Sequence, residues 1–238
     1  MVSWYHKHFG RTLLNAERKF LDKIMPKLFG YYLVQLGGPS DYDFLLSSPI
    51  VNKLRVDPND LAHADFIRAD FDALPFLSDS IYVMVISHVL EFERNPKAVL
   101  AESYHALVPE GHLIVLGFNP FSLYGLLKFF KRGKEFPWHG RFLRMGKVCN
   151  WIKSLGFEIV ARSTCCFDLP LGSYCLPNPS LIEKILHFLF PYCGAGYILV
   201  CKKKVVTLTP VKARLLHKRL AFKSTMSNVS CRERYEEN

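Results

Sequence analysis

Acids, glycines and small polar residues recur where short apolar runs stop along the first half of this 238-residue chain. Gly37-Gly38 follows the run 31–36, Asp57 follows 52–56, Asp70 follows 64–69, Ser87-His88 closes 81–87, and Gly117-Phe118-Asn119-Pro120 follows 112–116. Brought to one edge, these residue types suit a nucleoside ligand. A carboxylate takes the ribose hydroxyls, a second polar group reads the base, and a turn without side chains lets the backbone come close. Asp57 stands 20 residues after Gly37, the spacing of a ribose-binding acid behind the first glycine of a nucleotide loop. A plain turn at Asp57-Pro58, and a cap or turn role for Asp70, account for the same residues without a ligand. His88 and His139 are the candidate general bases, His88 reading equally as a structural histidine.

The elements that must position these residues are legible as periodicity. Residues 11–29 place Leu13, Leu14, Phe20, Leu21, Ile24, Met25, Leu28 and Phe29 at roughly helical spacing, which predicts an amphipathic helix ending or kinking near Pro26. Strands are expected at 31–36, 52–56, 64–69, 81–87, 112–116, 157–161 and 196–202, and helices at 96–107, 122–130, 147–154 and 179–190. The uninterrupted apolar run 81–87 is what a parallel strand covered on both faces requires. Alternating strands and helices predict an α/β fold with a doubly wound, mostly parallel sheet and helices on both faces, the last two strands forming an antiparallel or mixed edge. In such a sheet the ligand crevice lies beyond the carboxyl ends of the strands, where the acids and glycines fall.

The stretch Asp70-Phe71-Asp72-Ala73-Leu74-Pro75-Phe76, followed by Ser80-Ile81-Tyr82-Val83, Ser87-His88-Val89-Leu90-Glu91, Asn95-Pro96 and Leu107-Val108-Pro109-Glu110-Gly111-His112-Leu113, resembles the class I S-adenosylmethionine-dependent methyltransferases. More narrowly it resembles their type 11 group, and residues 112–126 resemble an uncharacterised proteobacterial branch of it. The resemblance covers about residues 28–205 and implies a seven-stranded, Rossmann-like sheet, S-adenosylmethionine as cofactor and methyl transfer to an unknown acceptor. It implies that Asp70 binds the adenine amino group, with Phe71 supplying an adjoining N–H. Asp57 is then the ribose acid, Gly37 and Gly38 belong to the nucleotide loop, and Ser87 and His88 line the methionine end. The loop departs from the family pattern: Gln35 stands for its acid, and Pro39 and Asp41 stand for its second and third glycines. That departure supports an alternative, a non-catalytic binding protein on the same fold. Methyl transfer asks the protein to align donor and nucleophile in a dry pocket, so neither a catalytic triad nor a metal motif is expected. Phe118, Phe121 and Tyr124 are candidate walls for the acceptor.

Charge separates the chain into parts. The formal net charge of +10 resolves into −3 over residues 1–127, +6 over 128–147, zero over 148–201 and +7 over 202–238. The first 205 residues are expected to form a single domain, and 206–238 a basic, flexible tail. Basic residues interleaved with Phe136, Trp138 and Phe142 between Lys128 and Lys147 suit an anionic acceptor, nucleic acid or anionic lipid, and the tail suits a nonspecific electrostatic arm. A nucleic-acid-binding protein is therefore a further alternative. Seven cysteines without a Cys-x-x-Cys pair read as buried free thiols, with no metal site. The absence of a long apolar run and of a leader-like N-terminus is read as cytoplasmic.

Overall fold

The computed structural model describes residues 5, 8–39, 45–58, 66–122, 125, 136, 138–165 and 194–204. Most of the helix expected at 122–130, the helix at 179–190, Asp41, Tyr124, Cys166, Cys175, Cys193, Cys231, residues 128–135 and 137 of the basic segment and the tail lie outside them.

Helix α1 (His8–Ile24) buries Leu13, Leu14 and Leu21 without exposure, and Pro26 ends it in a single 3-10 turn (Met25–Lys27) before Leu28 becomes extended. Strands β1 (Tyr32–Leu36), β2 (Asn52–Val56), β3 (Phe66–Ile67) and β4 (Ile81–Ser87) follow. Helix α2 (Pro96–Ala106) begins at a proline, whose fixed φ and missing N–H suit a first helical position. Then come β5 (Leu107–Phe118), α3 (Met145–Ser154), β6 (Phe157–Cys165) and β7 (Gly196–Lys203).

The seven strands make one sheet in the order β3-β2-β1-β4-β5-β7-β6. Strands β1 to β5 pair in parallel, while β7 runs antiparallel between β5 and β6, so the expected antiparallel edge is present. One apolar cluster joins Val34, Met84, Ile86, Leu113 and Val115 to α2 and α3. The other joins Leu33, Val83, Val85, Ile114 and Leu116 to α1. Both faces of β4 and β5 are therefore covered, which is why these strands read as continuous apolar runs. Cys149, Cys165 and Cys201 are buried, and burial pushes the Cys201 thiol up to about 12.

Besides shifts at the ends of α1, β3 and α3, two boundaries differ from the sequence reading. The turn expected at Pro109-Glu110-Gly111 lies inside β5: Ile81 pairs with Leu107 and Val83 with His112, so the extra residues bulge out and Glu110 takes φ +66°. Strand β6 continues to Cys165, past the predicted stop at Ala161, because β7 pairs with it as far as Gly196.

The contact that fixes the end of the β5–β7 ladder is a missing side chain. Gly117 pairs with Tyr197, and a Cβ at Gly117 would stand 2.4 Å from Tyr197 Cζ and 2.7 Å from Glu91 Oε1. Gly117→Ala is expected to destabilise by about 1–3 kcal/mol through overpacking, a fall of roughly 2–10 °C in Tm. An unchanged melting curve would contradict this packing.

Candidate functional site

The carboxyl ends of β1 and β4, adjacent in the sheet, meet at a glycine turn. Gly37 and Gly38 adopt φ +64° and +90°, and the Gly37 N–H donates to Val56 O at 3.0 Å, carrying the β1–β2 pairing into the turn. A Cβ on Gly37 would lie 2.6 Å from Val89 Cγ2, and one on Gly38 would lie 2.8 Å from Gln35 Nε2 and 3.0 Å from Ser87 Oγ. The turn therefore needs glycine both for its φ and for space. Gln35 folds its amide over the turn and donates to Gly37 O at 2.9 Å. Gln35 Oε1 and Ser87 Oγ are buried, with no hydrogen-bond partner among the described residues.

Asp57 is half-buried at the end of β2, with its N–H bonded to Ile67 O, and Asp70 is exposed beyond β3. Phe71 is buried, its ring edge 3.7 Å from the Cβ position of Gly37. Burial, then the carboxylates of Asp72 and Asp70, push Glu93 up, which marks this rim as acidic. The turn thus brings Gly37, Gly38, Phe71 and Ser87 together, and Asp57 and Asp70 stand at the ends of the neighbouring strands.

Beyond Ser87 the chain turns through His88, which holds φ +52°, a left-handed conformation uncommon outside glycine. Its N–H donates to Leu116 O at 3.0 Å, extending the β4–β5 pairing by one residue. The imidazole is fully buried and its Nε2 lies 2.9 Å from Oε1 of Glu17, also fully buried, on α1. The ring packs at 4.2 Å on Phe118. One turn further, Glu91 Oε1 accepts from the Phe118 N–H at 2.7 Å, and its carbonyl accepts from the Arg141 N–H at 2.7 Å. Burial works against a charged His88, but the Glu17 carboxylate, by charge and hydrogen bond, and then Glu91 outweigh it and raise its pKa. Glu91 is pushed up by burial, partly offset by His88. Burial, followed by the nearby carboxylates, raises the hydroxyls of Tyr5 and Tyr197 well above the ordinary value, so both stay protonated. Glu17 Oε2, His88 Nδ1, Glu91 Oε2 and Tyr197 Oη are buried without a partner among the described residues.

Rings enclose this group: Phe92 stacks on Phe136 at 4.9 Å, Phe118 stacks on Phe142 at 5.1 Å, and Phe136 meets Tyr5 at 5.5 Å. Phe136, Trp138 and Phe142 of the basic segment are partly buried and packed on the α1-side core. Phe121 is 59% exposed, under the Arg144 guanidinium at 4.7 Å, and His139 is exposed with its ring on Phe92 at 4.9 Å. Of the candidate bases, His88 has an orienting carboxylate, and His139 shows ring contacts.

Glu17, Glu91 and Tyr197 were not among the sequence candidates. Glu17 had a signal: it is an acid three and four residues after Leu14 and Leu13 and four before Leu21, on the buried stripe of an amphipathic helix. Its partner lies 71 residues away and has no local signature. Among the described residues no His, Cys, Asp and Glu group is arranged to hold a metal, and no helix is long and apolar enough to cross a membrane.

Residues 46–115 match the family described as methyltransferase domain. The chain is 25% identical over 212 residues to the uncharacterized protein YafS of Escherichia coli (strain K12), covering 88% of this chain and 84% of that one. A methyltransferase of Haloferax volcanii, solved in complex with the Trm112 methyltransferase activator, superposes with a TM-score of 0.63 at 16% identity over 86% of this chain and 96% of that one. A SAM-dependent methyltransferase from Archaeoglobus fulgidus superposes at 0.61 and 17% identity, covering 84% and 99%. The fold is the Rossmann-like fold of class I methyltransferases, and the domain match together with that fold implies S-adenosylmethionine as cofactor.

The residues at the glycine turn fit such a group. Two side-chain-free positions in left-handed conformation lie beside two unpartnered buried polar atoms, Gln35 Oε1 and Ser87 Oγ, with an apolar ring and two strand-end carboxylates next to them.

The raised pKa of His88 makes its pairing with Glu17 a stability device with a defined pH sign. The contribution is complete below the unfolded value near 6.5 and is lost as pH rises through the higher folded value. Thermal unfolding of the parent is expected to show Tm falling as pH rises above about 6.5. Glu17→Gln is expected to cost roughly 3 kcal/mol at lower pH and to flatten that slope. A variant with the parent's slope would refute the assignment.

Proposed function

From residues 46–115 as a methyltransferase-domain match set in a class I methyltransferase fold, we propose that this chain binds S-adenosylmethionine at the Gly37-Gly38 turn and is an enzyme that transfers its methyl group to an acceptor held beside His88. The single observation that carries the reading is the placement of the turn. Gly37, Gly38, Phe71 and Ser87 meet at the carboxyl ends of adjacent parallel strands β1 and β4, with His88 next in the chain after Ser87, at the strand ends where ligands of such sheets bind.

The roles follow from the residue chemistry. Asp57 takes the ribose hydroxyls, Asp70 the adenine amino group with the Phe71 N–H beside it, and Gln35 Oε1 and Ser87 Oγ satisfy their hydrogen-bonding capacity on the polar end of the ligand. The bound cofactor supplies an activated methyl group. In its neutral form, with the proton held on Nε2 toward Glu17, His88 presents Nδ1 as the basic lone pair, and the carboxylate stabilises the imidazolium formed when Nδ1 takes the acceptor's proton. Phe92, Phe118, Phe136 and Phe142 keep water from the reacting atoms and give an apolar or aromatic acceptor its walls.

S-adenosylhomocysteine at 100 times its Kd is expected to stabilise the full chain by about 2.7 kcal/mol, raising Tm by roughly 5–10 °C. Asp70→Ala is expected to weaken its binding by about tenfold, the loss of a hydrogen bond to a charged group, while Glu158→Ala on the edge strand β6 leaves it unchanged. No shift in Tm and no calorimetric heat at millimolar ligand would overturn the reading.

A further inference from the structure

One side of α1 is packed and the other faces solvent with mostly basic side chains. Leu13, Leu14, Glu17 and Leu21 are buried, whereas Arg11, Asn15, Lys19, Lys23 and Lys27 recur every four residues along the exposed side, with Arg18 beside them. The acid on that side, Asp22, is occupied by Arg18 at 3.9 Å and by the Ser47 hydroxyl at 2.5 Å. At the end of the helix the surface becomes apolar. Phe29 is 75% exposed, Tyr31 is 69% exposed, and the turn that Ser47 ties to α1 contributes Leu46 at 61% and, just beyond, Val51 at 88%. Tyr31 rests edge-on against Tyr82, which packs on the same core cluster as α1, so the aromatic residues belong to the flank that carries the helix.

Single exposed apolar residues need no explanation. Four at one helix end, next to a row of cations, form a composite surface with two requirements: anionic groups for the lysines and an apolar medium for the rings and aliphatic chains. Nucleic acid meets the first and uses planar rings for stacking, but Leu46 and Val51 offer it nothing. A bilayer interface meets both, because its headgroups are anionic and its acyl boundary lies a few ångströms below them.

We propose that this flank docks on an anionic lipid bilayer, with Arg18, Lys19, Lys23 and Lys27 on the headgroups and Phe29, Tyr31, Leu46 and Val51 in the interface. These residues are not those of the basic segment 128–147 or of the tail, and the proposal does not depend on the methyl-transfer reading.

The full chain, co-sedimented with vesicles, is expected to bind phosphatidylcholine mixed with phosphatidylglycerol far better than phosphatidylcholine alone, and less tightly as salt rises. The triple variant Lys19→Glu, Lys23→Glu, Lys27→Glu is expected to lose at least about tenfold in affinity for the anionic vesicles. Phe29→Ser with Tyr31→Ser is expected to lose about threefold or more and to abolish the binding that survives at high salt. All these side chains are exposed, so melting curves at the parent's Tm accompany the losses. A parent that ignores the anionic vesicles overturns the proposal. So does a charge variant that binds as the parent does, which would place binding on the other basic segments. An aromatic variant that binds as the parent does also overturns it, because insertion is then absent.

Discussion

The contact on which the rest of the site depends is the buried pair between Glu17 and His88. Two ionisable groups without solvent exposure, 2.9 Å apart, cost several kcal/mol each to desolvate and recover that cost through their charge and hydrogen bond together. The pair has structural consequences in both directions along the chain. It holds α1 across the carboxyl end of β4, and it holds His88 in a left-handed backbone conformation directly after Ser87. That conformation makes the His88 N–H the last rung of the β4–β5 ladder, after which Glu91 comes round to bond the Phe118 N–H. The core on the α1 side, the end of the central strands and the ring enclosure are thus tied to one charge pair.

Such a pair is weak support for stability alone, because well-packed apolar side chains would serve as well. Its position beside other buried polar atoms points elsewhere. His88 Nδ1, Glu91 Oε2, Tyr197 Oη, Ser87 Oγ and Gln35 Oε1 are buried without partners among the described residues, whereas buried Ser103, Asn119, Ser122 and Lys203 have hydrogen-bond partners. Buried polar groups that the protein leaves unmatched suit a ligand that matches them. The proposed reading gives Gln35 and Ser87 to the cofactor and His88 to the acceptor, and it leaves Glu17 as the group that orients the imidazole.

What the sequence revealed of this arrangement follows the range of each interaction. β2, β4 and α3 lie where the periodicity places them within a few residues, because strand and helix patterns are local consequences of which side chains face the core. The residues at strand ends were legible for the same reason: Gly37, Asp57, Asp70 and His88 are where apolar runs stop. The pairing of His88 with Glu17 was not, since it is made by the docking of a helix 71 residues away. The bulge in β5 was missed because Pro109-Glu110-Gly111 carries turn residues, and register with Val83 at His112 is restored only by tertiary pairing. The aromatics of the basic segment were assigned to the surface by their charged neighbours, whereas Phe136 and Phe142 pack inward against Phe92 and Phe118.

The distribution of charge then has a physical logic that the total of +10 conceals. The rim near the proposed adenosine end is acidic, with Asp70, Asp72 and Glu93 close enough that the first two help to raise the third. A sulfonium is itself a cation, so an acidic rim beside the proposed site favours its approach. The exposed side of α1 is basic, carrying Arg11, Arg18, Lys19 and Lys23, with Lys27 in the 3-10 turn that follows. One helix therefore presents opposite requirements on its two sides: a carboxylate turned inward to hold a histidine, and cations turned outward. Net charge counts these together and cancels them, whereas burial separates Glu17 from the lysines and gives each side its own electrostatic task.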